Sequence, residues 1–245
     1  MPAHSSSLLL FVSPSWPRPC ACKALSRQLL FGLSAVILAW LIAAPAPLRA
    51  RDTEPLQAAA RQLGPQAVAG LHALEPLLDA ASGLDEAGKL LAVNQFFNLR
   101  IRFRDDNEVW GQIDYWASPL ELLAKGEGDC EDFAIAKYFS LLKLGMPSAR
   151  LRLVYVRAQL AGSPSKVQAH MVLAHYAAPG AEPSILDNLA REVLPASQRG
   201  DLTPVYSFNS EGLWQGIGAQ TAGDPMIRVS HWREVLAKAR AEGFL

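Results

Sequence analysis

Cysteine is scarce in this chain: 3 of 245 residues, two of which, Cys20 and Cys22, precede the apolar run from Leu29 to Ala44. If that run is an export signal, the mature chain keeps only Cys130, which excludes an intramolecular disulfide. Net charge is also lacking. Lysine plus arginine number 23, as do aspartate plus glutamate, so no general field argues for nucleic acid or an anionic membrane as the main partner. There is no internal repeat, no long low-complexity tract and no EF-hand spacing.

What is present suits one ordinary core. The chain is 50% hydrophobic and 19% charged, enough for a single domain after a targeting segment is removed. Lys23 and Arg27 precede the apolar run, and Pro45-Ala46-Pro47-Leu48-Arg49-Ala50 breaks it. Residues 1–50 therefore read as a Sec-type export signal, cleaved between Ala44 and Ala50, with an uncleaved anchor as the alternative. Residues 51–245 form the exported domain.

Helix formers over residues 53–82, with Val68, Leu71, Leu74 and Leu78 on one face, predict two short packing helices. Asp85 is placed to cap a helix to about Leu99, with Leu90, Leu91, Val93, Phe97 and Ile101 as its apolar stripe. Asn94 and Asn98 lie on or near that stripe, where capping or turn roles explain them. Residues 102–116 form a polar and aromatic loop. Ser118-Pro119-Leu120-Glu121 opens a short helix by a capping box and a proline at the first position.

The stretch Gly126-Glu127-Gly128-Asp129-Cys130-Glu131-Asp132 follows, then a run to Leu144 that is apolar apart from Lys137, Ser140 and Lys143, with a stop at Gly145. This predicts a largely buried helix with Cys130 at its N-terminus. Unpaired amides and the positive end of the helix dipole favour a thiolate there, although a lone cysteine is by default a small buried hydrophobe. Alternation at residues 150–157, 168–176 and 184–188 predicts an antiparallel sheet. A further strand is expected at 202–209, broken by Pro204, and a closing helix capped by Ser230. The class is α+β.

A nucleophile needs a base and an orienting acid. His170 shares a strand face with Val172 and Ala174, while His175 points the other way with Met171 and Leu173, so only one of them can face the helix of Cys130. Asp187, near the end of the next strand, is within reach of the outer imidazole nitrogen of His170 if the register is right.

Together, Gly128-Asp129-Cys130-Glu131-Asp132, Asp114-Tyr115-Trp116-Ala117-Ser118-Pro119-Leu120-Glu121, Lys137-Tyr138, His170-Met171-Val172-Leu173 and Leu186-Asp187-Asn188 resemble the bacterial transglutaminase-like cysteine proteinases of the LapG type, over roughly residues 55–245. The resemblance implies a papain/transglutaminase-like fold with the nucleophile helix packed on an antiparallel sheet. It also implies Cys130 as nucleophile, His170 as general base and then acid, and Asp187 as orienting acid. The expected activity is periplasmic proteolysis of the N-terminal region of a large surface adhesin, next to a pair of alanines, which releases the adhesin and disperses biofilm. The implied inhibitor is the periplasmic domain of an inner-membrane cyclic-di-GMP receptor, which sequesters the protease through an exposed tryptophan.

A calcium site is implied too, for which Asp129, Glu131, Asp106 and Asn107 or Glu108 are the expected ligands. Physics supplies a separate motive. The acids flanking Cys130 disfavour its thiolate, and a bound cation removes that conflict; without the resemblance they read as a solvated acidic face. Two alternatives stand beside the protease: acyl transfer to an amine, and an inactive binding module. Trp110, Trp116, Trp214 and Trp232 are read as packing residues or a partner surface.

Overall fold

A computed structural model of the chain describes residues 50–159 and 166–245. The expected export signal lies outside the described residues up to position 49, as does most of the turn expected at 162–166.

The predicted helical pair is α1, Ala50–Leu63, and α2, Pro65–Ser82, separated at Gly64. Gly64 has φ 108°, a value that favours glycine, and Pro65 then presets the first turn of α2. Leu71, Leu74 and Leu78 are buried as expected. Helix α3, Glu86–Arg100, is capped by Asp85, whose carboxylate accepts from Gly88 N at 2.8 Å. Its stripe is Leu90, Val93, Phe97 and then Ile101. Leu91 does not belong to it: one residue is a rotation of about 100°, and Leu91 is 43% exposed.

The loop expected over 102–116 contains strand β1, Arg102–Phe103, and a single turn, α4, Asp106–Val109. Helix α5, Pro119–Lys125, has the full capping box at Ser118 and Glu121 and ends at Gly126, φ 67°. Strand β2, Glu127–Gly128, leads into α6, Cys130–Lys143. Strands β3 (Leu151–Gln159), β4 (Val167–His175), β5 (Ser184–Leu186), β6 (Leu194–Pro195), β7 (Leu202–Phe208), β8 (Leu213–Gln215) and β9 (Thr221–Gly223) follow. They form an antiparallel sheet in the order β6-β5-β4-β3-β7-β8-β9.

Pro204 does not break β7. The register against β3 skips Val205, so the strand absorbs its proline in a bulge. A turn of helix, α7, Pro225–Arg228, capped by Asp224, precedes α8, Ser230–Glu242. Ser230 is the first helical residue rather than the cap: Val229 holds the cap position, and no side chain bonds there.

Helix α6 packs on β3 and β4. Met171 and Leu173 join the helices in the main core, whereas Val154, Val156, Val172, Ala174 and Ile185 form a smaller apolar cluster on the other face of the sheet. Trp232 of α8 is fully buried and ties the layers together, with ring centroids 5.3 Å from Tyr138, 5.7 Å from Phe139 and 5.5 Å from Phe208.

Helix α2 crosses α5 so closely that a Cβ at Gly70 would lie 2.7 Å from Leu123 Cβ and 3.0 Å from its carbonyl oxygen. Gly70→Ala is therefore expected to destabilise the domain by about 1–3 kcal/mol through overpacking, outweighing the gain of about 1 kcal/mol in helix propensity. Urea unfolding of the two proteins measures the sign.

Candidate active site

The first turn of α6 is set by the strand pair before it. Arg102 N donates to Gly126 O and Arg104 N to Gly128 O, each at 3.0 Å, so β1 and β2 run parallel and bring the acidic loop from Asp105 alongside Asp129. Gly128 is needed for space, since a Cβ there would lie 2.5 Å from Asp132 Oδ2 and 2.6 Å from Leu122 Cδ1. Asp132, fully buried, accepts from Ala117 N at 2.7 Å and anchors the residues leading into α5.

Cys130 begins α6, as the sequence predicts, but its thiol is not activated by that position alone. Its Sγ donates to Glu131 Oε2 at 2.9 Å, and the Met171 amide donates to the sulfur. Burial, then the charges of Glu131 and Asp129, push the thiol well above its usual range, and the Met171 amide opposes them only weakly. In this arrangement burial, together with the acids, disfavours the thiolate.

His170 and Asp187 meet as the register allows. Leu173 pairs with Leu186, so one step further Asp187 stands across from Val172, on the sheet face that also carries His170. Asp187 Oδ1 lies 2.7 Å from His170 Nε2 and accepts from Leu189 N at 3.0 Å. Burial alone would raise the Asp187 carboxyl. The His170 contact, the Leu189 amide and Arg199 hold it down to about 2. The ionised acid fixes the imidazole proton on Nε2 and leaves Nδ1 as the basic nitrogen.

His170 does not project from the helix-packed face. It shares the face of the second cluster and reaches the cavity of Cys130 where β4 extends beyond its partner β5. His175 is on the helix side, at the far end of the strand, 3.9 Å from Glu86; burial and then Arg150 lower its pKa.

Three supports escaped the sequence reading. Arg199 donates to Asp187 Oδ2 at 2.7 Å while gripping both oxygens of Asp201 at 2.9 and 2.7 Å. Asn98 donates to the carbonyls of Asp187 and Ala190 at 2.7 and 3.0 Å, and Asn94 to that of Arg191 at 3.2 Å. The two amides one helical turn apart were the available signal; Arg199 had none.

Cys130 and His170 line one cavity of about 370 Å³ with Asp129, Glu131, Trp116 and Tyr206. Of the four tryptophans considered above, Trp116 alone lines it; Trp232 is core, Trp110 packs on Tyr115, and Trp214 lies under Arg152.

The acids expected to hold a cation converge beside it. Carboxylate oxygens of Asp106, Asp129 and Asp132 lie within 4.8 Å of one another, as do those of Asp106, Asp114 and Glu131. Asp106 is 2% exposed and accepts from Tyr115 N. Its Oδ1, with Asp129 Oδ1 and Asp132 Oδ2, has no hydrogen-bond partner among the described residues. Burial raises Asp106 to about 6 against the pull of the Tyr115 amide, with Glu131 and Asp114 adding to the rise; burial, then Glu131, Asp132 and Asp106, drive Asp129 upward, and burial, Asp106 and Glu131 drive Asp132 upward. Asn107 and Glu108 are exposed and line no part of the cavity, whereas Asp114, not among the expected ligands, does line it.

Lys137 is fully buried two turns into α6, with Nζ lacking a hydrogen-bond partner among the described residues and 5.7 Å from the Phe133 ring centroid. Burial lowers it to about 7, against the opposing charge of Asp187. Phe133, Ile135, Phe139 and Leu141 on the same helix are buried, roughly 6–12 kcal/mol of gross apolar stabilisation, which offsets one poorly solvated ammonium.

Because the folded pKa of Lys137 is below its usual 10.5, the unfolded chain binds the extra proton between the two values. Its cost is then full below about pH 7 and absent above about 10.5. Lys137→Met should be more stable than the parent at pH 7, and denaturation across this window should show the difference closing as pH rises. Arg199→Met should cost about 3 kcal/mol by leaving buried Asp187 short of a partner. Asp187, held at about 2 against its usual 3.8, contributes stability that is present above pH 3.8 and lost towards 2. Denaturation in acid should show a smaller loss in the Arg199 variant.

The sequence model of the bacterial transglutaminase-like cysteine proteinases (BTLCP) matches residues 78–221. Among solved structures, calcium-bound LapG of Legionella pneumophila is 37% identical, covering 76% of this chain and 98% of its own, with TM-score 0.65. EGTA-treated LapG is 38% identical over 79% of this chain and 99% of its own, TM-score 0.66. A third structure of LapG from the same organism is 39% identical over 76% and 95%, TM-score 0.65. Comparison with curated protein sequences gave no match. The fold is transglutaminase-like, as expected, and the matched segment runs from α2 to β9 through Cys130, His170 and Asp187. The chain therefore belongs to the bacterial transglutaminase-like cysteine proteinases.

Proposed function

We propose that the protein is an exported, calcium-dependent endopeptidase that cuts the N-terminal region of a large surface adhesin in the periplasm, with Cys130, His170 and Asp187 as its catalytic residues. The observation that carries the reading is a cavity lined both by Cys130 and by an imidazole already oriented by a buried, ionised aspartate. His170 Nδ1 takes the thiol proton as sulfur attacks the scissile carbonyl, and the Cys130 amide, at the helix start, donates to the oxyanion. His170 returns the proton to the leaving amine, and a thioester remains. Water, deprotonated by His170, then releases the acid and restores the thiol. Asp187 holds the imidazole in one tautomer throughout, and Arg199 holds Asp187.

The donor set fits calcium: hard carboxylate oxygens, several buried without partners among the described residues, crowded enough to repel one another. Asp106, Asp129 and Glu131 would hold it, with Asp114 rather than Asn107 as the further loop ligand. When bound, calcium supplies positive charge that offsets the carboxylates around the thiol and lowers the cost of the thiolate. The calcium-bound and EGTA-treated structures of LapG support this reading. By resemblance, the adhesin's release would disperse biofilm, and the inhibitor would be the periplasmic domain of an inner-membrane cyclic-di-GMP receptor.

The test is incubation of the purified protein with the N-terminal segment of a co-encoded adhesin, with calcium and with a chelator. Two fragments are expected with calcium, none with chelator, and Cys130→Ala should slow cleavage by about a thousandfold or more. Cleavage unaffected by chelator would remove calcium from the mechanism. A cross-linked product instead of fragments would indicate acyl transfer to an amine.

A further inference from the structure

Among the described residues, the edge of β4 next to His170 has no strand partner. Strand β3 pairs with β4 along its whole length, from Val167 to His175, but on the other side β5 pairs only with Leu173, Ala174 and His175. The chain beyond β5 does not continue the ladder, because Asn98 and Asn94 of α3 draw the carbonyls of Asp187, Ala190 and Arg191 towards the helix. Val167, Gln168 and Ala169 are exposed, and they carry neither the charge nor the proline with which sheet edges are usually guarded.

The direction of the free backbone groups follows from the thiol. Met171 N donates to Cys130 Sγ, so the backbone of Met171 faces away from β3. Leu173, two residues on, faces the same way and meets Leu186 of β5. In an antiparallel strand this alternation has period two, so Ala169 and Val167 also turn N–H and C=O outward, with no strand among the described residues to receive them. Ala169 lies about 7 Å and Val167 about 13 Å along the edge from the amide that touches sulfur. A separate groove, lined by Tyr155, Arg157, Val167, Gln168, Ala169 and Val205, lies over the face of β4, β3 and β7 and not along this edge.

The position of His170 decides which part of a substrate lies there. The acyl carbon is bonded to sulfur at Met171, and the leaving nitrogen must be within reach of the imidazole, so the chain departing from the scissile bond runs past His170 towards Val167. We infer that the residues following the scissile bond bind as an added β-strand on the free edge of β4 at Val167–Ala169, an inference that rests on the proteolytic reading above. Recognition of this segment is then mainly through its backbone and requires it to be extended.

The experiment is an N-methyl scan of a synthetic peptide carrying the adhesin sequence around its pair of alanines, cleaved by the full, unmodified protein with calcium. Methylation of alternate amides after the scissile bond should lower kcat/KM about tenfold each, the effect of one lost hydrogen bond, while the intervening positions change less than about twofold. Uniform effects after the bond, or losses confined to residues before it, would overturn the inference while leaving the protease intact. Failure to cut the unmethylated peptide would overturn the proteolytic reading, and the inference with it.

Discussion

Four carboxylates, Asp106, Asp129, Glu131 and Asp132, converge on the first turn of α6, and their mutual repulsion in poorly hydrated surroundings is the constraint on which the rest of the site depends. The scaffold holds them there by backbone rather than by opposite charge. The parallel bridge of β1 and β2 brings in Asp106, the absent side chain of Gly128 leaves room for Asp132, and the amides of Tyr115 and Ala117 take one oxygen each from Asp106 and Asp132. Asp106 Oδ1, Asp129 Oδ1 and Asp132 Oδ2 have no hydrogen-bond partner among the described residues. A helix terminus that would ordinarily favour a thiolate is thereby reversed, and Cys130 keeps its proton on Glu131.

Asp187 is the opposite case within the same cavity region. It is as deeply buried, yet an imidazole, a backbone amide and a guanidinium surround it, so it stays ionised. Two groups of acids are thus driven apart, one set upward by its own members and one residue downward by donors. The His170–Asp187 pair is assembled in the protein alone, whereas Cys130 is surrounded by carboxylates some of whose oxygen atoms have no partner among the described residues.

Much of this was legible in the sequence because it depends on local rules. The capping box at Ser118, the cap at Asp85, the helix following Cys130 and the alternation of β3 and β4 are short-range signals, and the structure carries each of them. The pairing of His170 with Asp187 was legible as far as a register could be guessed. The face was not: His170 lies on the side of the sheet away from α6 and lines the cavity where β4 extends beyond the short β5. Arg199 was illegible for the same kind of reason, since its partner lies twelve residues back and is met only through the sheet. Leu91 and Ser230 were misread by a single residue of helical phase or cap position. Asn107 is adjacent to Asp106 in sequence, but the helical turn there buries the Asp106 side chain and turns that of Asn107 to solvent.

The brace formed by Asn94 and Asn98 makes α3 a ruler for the site. These amides hold the chain after Asp187 from a helix that contributes nothing to the cavity, and they do so only because four residues separate them on one face. An insertion between them would swing the second amide by about 100° and lift it along the axis by 1.5 Å, releasing the strand end that carries Asp187. Substitutions on the solvent side of α3 leave that spacing untouched. The helix is therefore free to vary in composition over much of its surface while its length between these two positions is fixed by a carboxylate that it never touches with a charge.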